Sequence, residues 1–169
     1  FIDIFSAKAM PVSQPLSTLN ALSPLDGRYA EKLDALRPWL SEAAFMRQRV
    51  FVEIHWLLAL AAAGLPDVPK INAADEAFLL SLPENFSDAD AQHIKDIEAV
   101  TNHDVKAVEY FLKEKMTELG LEKYLEFVHF GLTSQDINNT SIPLSLKDAL
   151  EKEYTPLIHQ LITKLTSLQ

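Results

Sequence analysis

Cysteine is absent from the sequence, which excludes disulfides, thiolate metal sites and cysteine nucleophiles. Glycine is scarce, with four residues against nine prolines among 169. That balance disfavours a glycine-rich α/β architecture, and neither a P-loop nor a dinucleotide-binding fingerprint occurs. The chain also has no Gly-x-Ser-x-Gly elbow and no His-Glu-x-x-His pair. No eighteen-residue apolar run is present, so no segment is expected to span a bilayer. Positive charge is in deficit. Fifteen basic against twenty-four acidic residues leave a net charge of -9, which makes a nucleic-acid backbone an unsuitable partner. Arginine is confined to Arg28, Arg37, Arg47 and Arg49, and one or two of these could hold a small anion.

Ala, Leu and Glu are frequent, hydrophobic residues make up 48% of the chain, and the apolar residues recur at helical spacing. No alternating strand pattern and no internal repeat interrupts this, so the expected class is all-α. The acidic excess is concentrated in residues 65–104, where only Lys70 and Lys95 offset nine carboxylates. A solvated face with helix-start carboxylates accounts for that stretch.

Residues 1–19 are expected to form a flexible tail. They are mixed in character, contain Pro11 and Pro15, and lack a basic start followed by an apolar core, which argues against a signal peptide. The expected compartment is the cytoplasm. Ser23-Pro24-Leu25-Asp26-Gly27-Arg28-Tyr29 reads as a turn in which Asp-Gly permits a positive φ. A helix is expected over residues 41–64, with Phe45, Val52, Trp56, Ala59 and Ala63 as its stripe and Gly64 and Pro66 as stop signals.

Asn72 with Asp75, Ser87 with Asp90, Thr101 with Asp104 and Thr133 with Asp136 all have capping-box spacing. The helix after Thr101 carries the stripe Val105, Val108, Leu112, Met116 and Leu119, and Gly120 closes it. A short helix is expected over residues 121–130. The last segment, residues 134–169, carries an apolar row (Leu146, Ala149, Leu150, Leu157, Leu161, Leu165) that needs a partner. Pro143 and Pro156 should kink or break it.

Four polar clusters could carry chemistry. Asn102-His103-Asp104 places an amide, an imidazole and a carboxylate at a helix start, where free N–H groups favour an anion. Thr133-Ser134 offers two hydroxyls at another helix start. Arg28-Tyr29 after the rigid turn could clamp a phosphate. His129 could orient the helix start that follows it. Each also reads as capping or an ordinary surface group. His55, His93 and His159 have no pairing that suits a metal.

Three stretches resemble the adenylosuccinate lyase family of the fumarase/aspartase superfamily. They are the 23–29 turn, Thr101-Asn102-His103-Asp104-Val105-Lys106-Ala107-Val108-Glu109-Tyr110-Phe111-Leu112, and His129-Phe130-Gly131-Leu132-Thr133-Ser134-Gln135-Asp136-Ile137-Asn138-Asn139. The resemblance runs from about Leu19 to the end. It implies a helical N-terminal domain over residues 20–131 and the opening helix of a central long-helix bundle over residues 132–169.

The implied activity is β-elimination of fumarate from adenylosuccinate, giving AMP, and from succinyl-aminoimidazole-carboxamide ribotide, with no metal or organic cofactor. By position, Arg28 and Tyr29 would bind the nucleotide phosphate. Asn102, His103 and Asp104 would line the pocket, with His103 assisting the acid. Thr133 and Ser134 would hold a succinyl carboxylate. The general acid and general base are expected beyond residue 169, in a homotetramer whose subunits share active sites. The readings set beside this one are another superfamily lyase releasing fumarate and a non-catalytic helical interaction module.

Overall fold

A computed structural model describes residues 18–168; most of the expected 1–19 tail lies outside them. Among the described residues every regular element is helical. Two compact units are present, with the division at Asp34 and Ala35.

The first unit contains the 23–29 turn. Ser23 organises it by accepting the Asp26 and Gly27 backbone N–H groups on its carbonyl and the Leu25 N–H on its hydroxyl. Gly27 is buried, and it is needed for a reason other than the expected positive φ. Its φ is not positive; a Cβ there would lie 2.9 Å from the Thr18 carbonyl oxygen. The turn therefore requires glycine because two backbone segments approach closely. Arg28 and Tyr29 are exposed, and the guanidinium lies 5.6 Å from the phenol ring centroid.

The second unit is a helical assembly around α2, Glu42–Ala62, preceded by the single turn α1, Arg37–Leu40. Ser41 caps α2 by accepting the Ala44 N–H. α3 (Ala73–Glu84), α4 (Asp88–Thr101) and α5 (Asp104–Thr117) follow, and all three pack on α2 or on each other. Asn72 caps α3, and Ser87 with Asp90 forms a reciprocal capping box on α4. The core joins Met46, Val50, Ile54 and Leu57 of α2 to Leu79, Ile94, Val108, Phe111, Leu112 and Met116. Removing a fully buried phenyl ring costs about 3–5 kcal/mol, so Phe111 at its centre is a main contributor to cohesion.

The buried face of α2 corrects the expected stripe. Phe45, Val52 and Trp56 are half-buried, while Ala59 and Ala63 are exposed. Apolar residues occur on several sides of α2, so periodicity alone offered two stripes. Its neighbours α3, α4 and α5 meet it through Val50 and Ile54. In α5, Val105, Val108, Leu112 and Met116 are buried as expected, but Leu119 lies past the helix end and is half exposed. The expected 121–130 helix is shorter and tighter, a 3-10 segment Glu122–Phe127.

α6, Ser134–Ala149, packs along α2. It buries Ile137, Ser141, Ser145 and Ala149, a row of mostly small residues four apart. Leu146 and Leu150 point outward, so of the expected row only Ala149 is buried here, and its leucines are left for a partner. Pro143 does not break α6. It lies on the exposed side, where the carbonyl it deprives of a donor can bind water.

Pro156 is accommodated differently. Leu150–Tyr154 forms a π turn, with the Thr155 N–H donating to the Leu150 carbonyl, and α7, Thr155–Thr166, continues from it. The wider turn takes up the missing donor of proline without ending the rod. No helix among the described residues is long and apolar enough to cross a membrane.

Candidate functional site

α4 ends and α5 begins within two residues. Asn102 adopts a left-handed conformation (φ 51°), which asparagine tolerates, and its N–H bonds the Glu98 carbonyl to close α4. His103 then opens α5. Its Nδ1 accepts the Lys106 N–H at 3.1 Å, so His103, and not Thr101, is the N-cap. Thr101 is the last residue of α4, and its hydroxyl donates to the His103 carbonyl at 3.3 Å. The expected Thr101–Asp104 capping box is therefore absent, because the chain reverses at Asn102.

This cap fixes the imidazole's chemistry. A neutral ring whose Nδ1 accepts carries its proton on Nε2. That Nε2 faces the Ser134 hydroxyl at 3.5 Å, near the limit of a hydrogen bond, so both groups keep capacity for a ligand. Ser134 is the first residue of α6, and Thr133 is its cap. The Thr133 N–H donates to Asp136 Oδ2 at 2.7 Å and its hydroxyl to the same oxygen at 2.8 Å. These Thr133 contacts hold the Asp136 carboxyl below the usual carboxylate range. The Thr133 hydroxyl is thus engaged in its own helix start, and Ser134 presents the one facing His103.

Asp104 is held from the other side. Arg49 Nη2 donates to Asp104 Oδ2 at 2.7 Å, and Arg49 Nε donates to Asn138 Oδ1 at 3.0 Å. Burial pulls the Asp104 carboxyl upward, but the Arg49 charge, the Val105 N–H and the Arg49 hydrogen bond outweigh it and hold the group below its ordinary range. Arg49, Asn102, His103 and Asp104, with Glu42, Phe45 and Glu98, line a recess of about 410 Å³. A larger recess of about 940 Å³ runs along α4 and α5 past Val100 and Tyr110, but it takes in only Thr101 of the chain reversal. Among the described residues no three His, Asp or Glu side chains converge as metal ligands.

His129 is the fourth candidate. Its φ is 61°, and its Nδ1 lies 2.5 Å from Oε1 of the buried Glu53. Burial raises the Glu53 carboxyl above its ordinary range, partly opposed by the His129 bond and reinforced by Glu109. Sequence reasoning offered Arg49 only as one of four arginines that could hold an anion, and did not single out Glu53 or Asn138. The available signal was Arg49, Glu53 and Trp56, groups with polar atoms at i, i+4 and i+7 and so on one side of the helix.

The structure thus brings His103, Asp104 and Ser134 together with Arg49 and Asn138, and it places Asn102 at the rim. Arg28 and Tyr29 belong to the N-terminal unit. Residues 27–168 match a protein family described as lyase. The chain belongs to this lyase family.

Among its curated relatives in the lyase family, adenylosuccinate lyase of Haemophilus influenzae is 51% identical over 155 residues, covering 90% of this chain and 34% of that protein. Adenylosuccinate lyase of Vibrio cholerae is 49% identical, with the same coverage of each chain. Adenylosuccinate lyase of Dictyostelium discoideum is 47% identical over 153 residues, 87% of this chain and 32% of that protein. The chain spans about a third of the length of the curated relatives it matches.

Proposed function

We propose that this chain is the N-terminal part of an adenylosuccinate lyase, a cytoplasmic homotetramer that works without a metal or organic cofactor. The reaction is the β-elimination of fumarate from adenylosuccinate and from succinyl-aminoimidazole-carboxamide ribotide. Residues 20–131 form its N-terminal helical domain, and residues 132–169 open its central bundle.

The observation that supports this reading best is the approach of His103 Nε2 to the Ser134 hydroxyl, two donors from separate helix starts beside free backbone N–H groups. Elimination next to a carboxylate needs that carboxylate held and its developing charge stabilised. In this reading Thr133 and Ser134 hold it through the α6 start, with Ser134 giving the hydroxyl. His103 donates from Nε2 and assists an acid supplied by later residues, while Asn102 and Asp104 line the pocket. Arg28 and Tyr29 bind the nucleotide phosphate. The general acid and base come from beyond residue 169.

The test follows fumarate release by ultraviolet absorbance from the complete polypeptide, given adenylosuccinate and then argininosuccinate. Turnover of adenylosuccinate supports the assignment. Turnover of argininosuccinate alone overturns it in favour of another fumarate-releasing lyase.

A further inference from the structure

Glu53 is 1% exposed. Among the described residues one of its carboxyl oxygens has a partner: Oε1 meets His129 Nδ1, while Oε2 is buried without a hydrogen bond. A half-satisfied buried carboxyl is a poor stability device, since apolar replacements of buried charged groups are often neutral or stabilising. Its neighbour Glu109, 5% exposed, takes the ion pairs of Lys106 at 2.7 Å and Lys113 at 2.9 Å, and Lys106 acts on Glu53 only through its charge.

What Glu53 does hold is a chain reversal. His129 stands in the left-handed region (φ 61°), and Gly131 follows at φ 73°. One turn along α2, Trp56 Nε1 donates to the Phe130 carbonyl at 2.8 Å. Glu53 and Trp56 therefore grip consecutive residues of the segment that leads into Thr133 and Ser134.

We propose that Glu53 is a positioning residue, which with Trp56 fixes residues 129–132 on α2 and so sets where the α6 start meets His103. When Glu53 is ionised its Oε1 accepts from His129 Nδ1, and Nε2 of the neutral ring is then an acceptor, the opposite of His103. The inference rests on the proposed role of Thr133 and Ser134 in its kinetic consequence, but not in its structural one.

The test uses the complete polypeptide with Glu53→Met, Glu53→Gln and Trp56→Phe, and reads hydrogen exchange by peptide alongside kcat/KM and melting temperature. Glu53→Met is expected to speed exchange at least tenfold in the peptide covering residues 129–136 and to leave α5 unchanged. It is also expected to lower kcat/KM about tenfold or more, with the melting temperature held or raised. Glu53→Gln keeps an oxygen that can accept the His129 N–H and should recover most of both losses. Trp56→Phe keeps the ring and loses the donor, so it should speed exchange in the same peptide even if Glu53→Met fails to fold.

Unchanged exchange at residues 129–136 in the folded variants overturns the inference, as does acceleration spread equally over the whole chain. If the wild-type protein releases no fumarate from adenylosuccinate while the variants still show the local exchange change, the function is overturned and the positioning role stands.

Discussion

Arg49 Nη2 lies 2.7 Å from Asp104 Oδ2 while its Nε bonds Asn138, so a single guanidinium on α2 ties the first residue of α5 to the second turn of α6. Arginine is suited to this because its planar fork offers donors in two fixed directions, whereas a lysine ammonium is a single point charge. The two helix starts that meet at His103 and Ser134 are in this way referenced to one rigid element.

Replacing Arg49 by Met should release both starts. Arg49 is mostly buried and Asp104 is about half exposed, so the stability loss is discounted for solvent to about 1 kcal/mol. The sign of its pH dependence follows from Asp104. A carboxyl held below its unfolded value stabilises the fold above about pH 4, and that contribution is lost as pH falls through the lowered folded value. Urea unfolding at pH 7 and pH 3 should show wild type and Arg49→Met converging in acid; a constant difference across pH would contradict the pairing.

His103 has two separable tasks, capping α5 through Nδ1 and presenting Nε2. His103→Asn keeps a good capping oxygen but removes the second nitrogen. Its melting temperature should stay near wild type, while the proposed fumarate release by the complete polypeptide falls at least about a hundredfold, the lower end of the usual contribution of one proton-handling group. Equal rates with a lowered melting temperature would assign His103 to capping alone.

Gly27 and Gly131 should respond to alanine for different reasons. At Gly27 a Cβ meets the Thr18 carbonyl oxygen, so Gly27→Ala should displace the turn that carries Arg28 and Tyr29 and raise KM for the nucleotide. At Gly131 the space is open and the φ is 73°, so Gly131→Ala should cost about 1 kcal/mol through backbone conformation. Steady-state kinetics with thermal melts on both variants separates the effects; an unchanged KM for Gly27→Ala would contradict the phosphate role.

Leu157, Leu161, Ile162 and Leu165 are all at least half exposed along α7. The 169-residue chain on its own is expected to self-associate through this apolar row. Sedimentation velocity should show oligomers that Leu157→Glu with Leu161→Glu converts to monomer. A monodisperse wild-type monomer would be the contrary result.

Where a single side chain decides an element, the sequence was legible. Asn72, Ser87 and Thr133 each cap the helix they precede, because a cap is a local hydrogen bond between residues two or three apart. The face of α2 was not legible, since apolar residues occur on several of its sides and only the helices packed around it distinguish one stripe from another. The same non-local character hid the roles of Arg49 and Glu53, whose partners lie 55 and 76 residues away. At residues 101–104 the spacing suited a capping box, but a left-handed Asn102 moved the cap to His103. The 102–104 and 133–134 clusters were legible as helix starts; their meeting across α2 required the fold.

The π turn before Pro156 also has an angular effect. One residue advances an α-helix by about 100°, and the turn inserts one residue's worth of rotation between α6 and α7. Ile142, Leu146 and Leu150 on one side, and Leu157, Leu161 and Leu165 on the other, thus belong to one rod whose halves are out of phase. Deleting a single residue within 151–154 would keep every leucine and every helical hydrogen-bond pattern downstream, yet swing the α7 row about a quarter turn around the rod axis. The turn acts as the gear tooth that sets which way the far end faces.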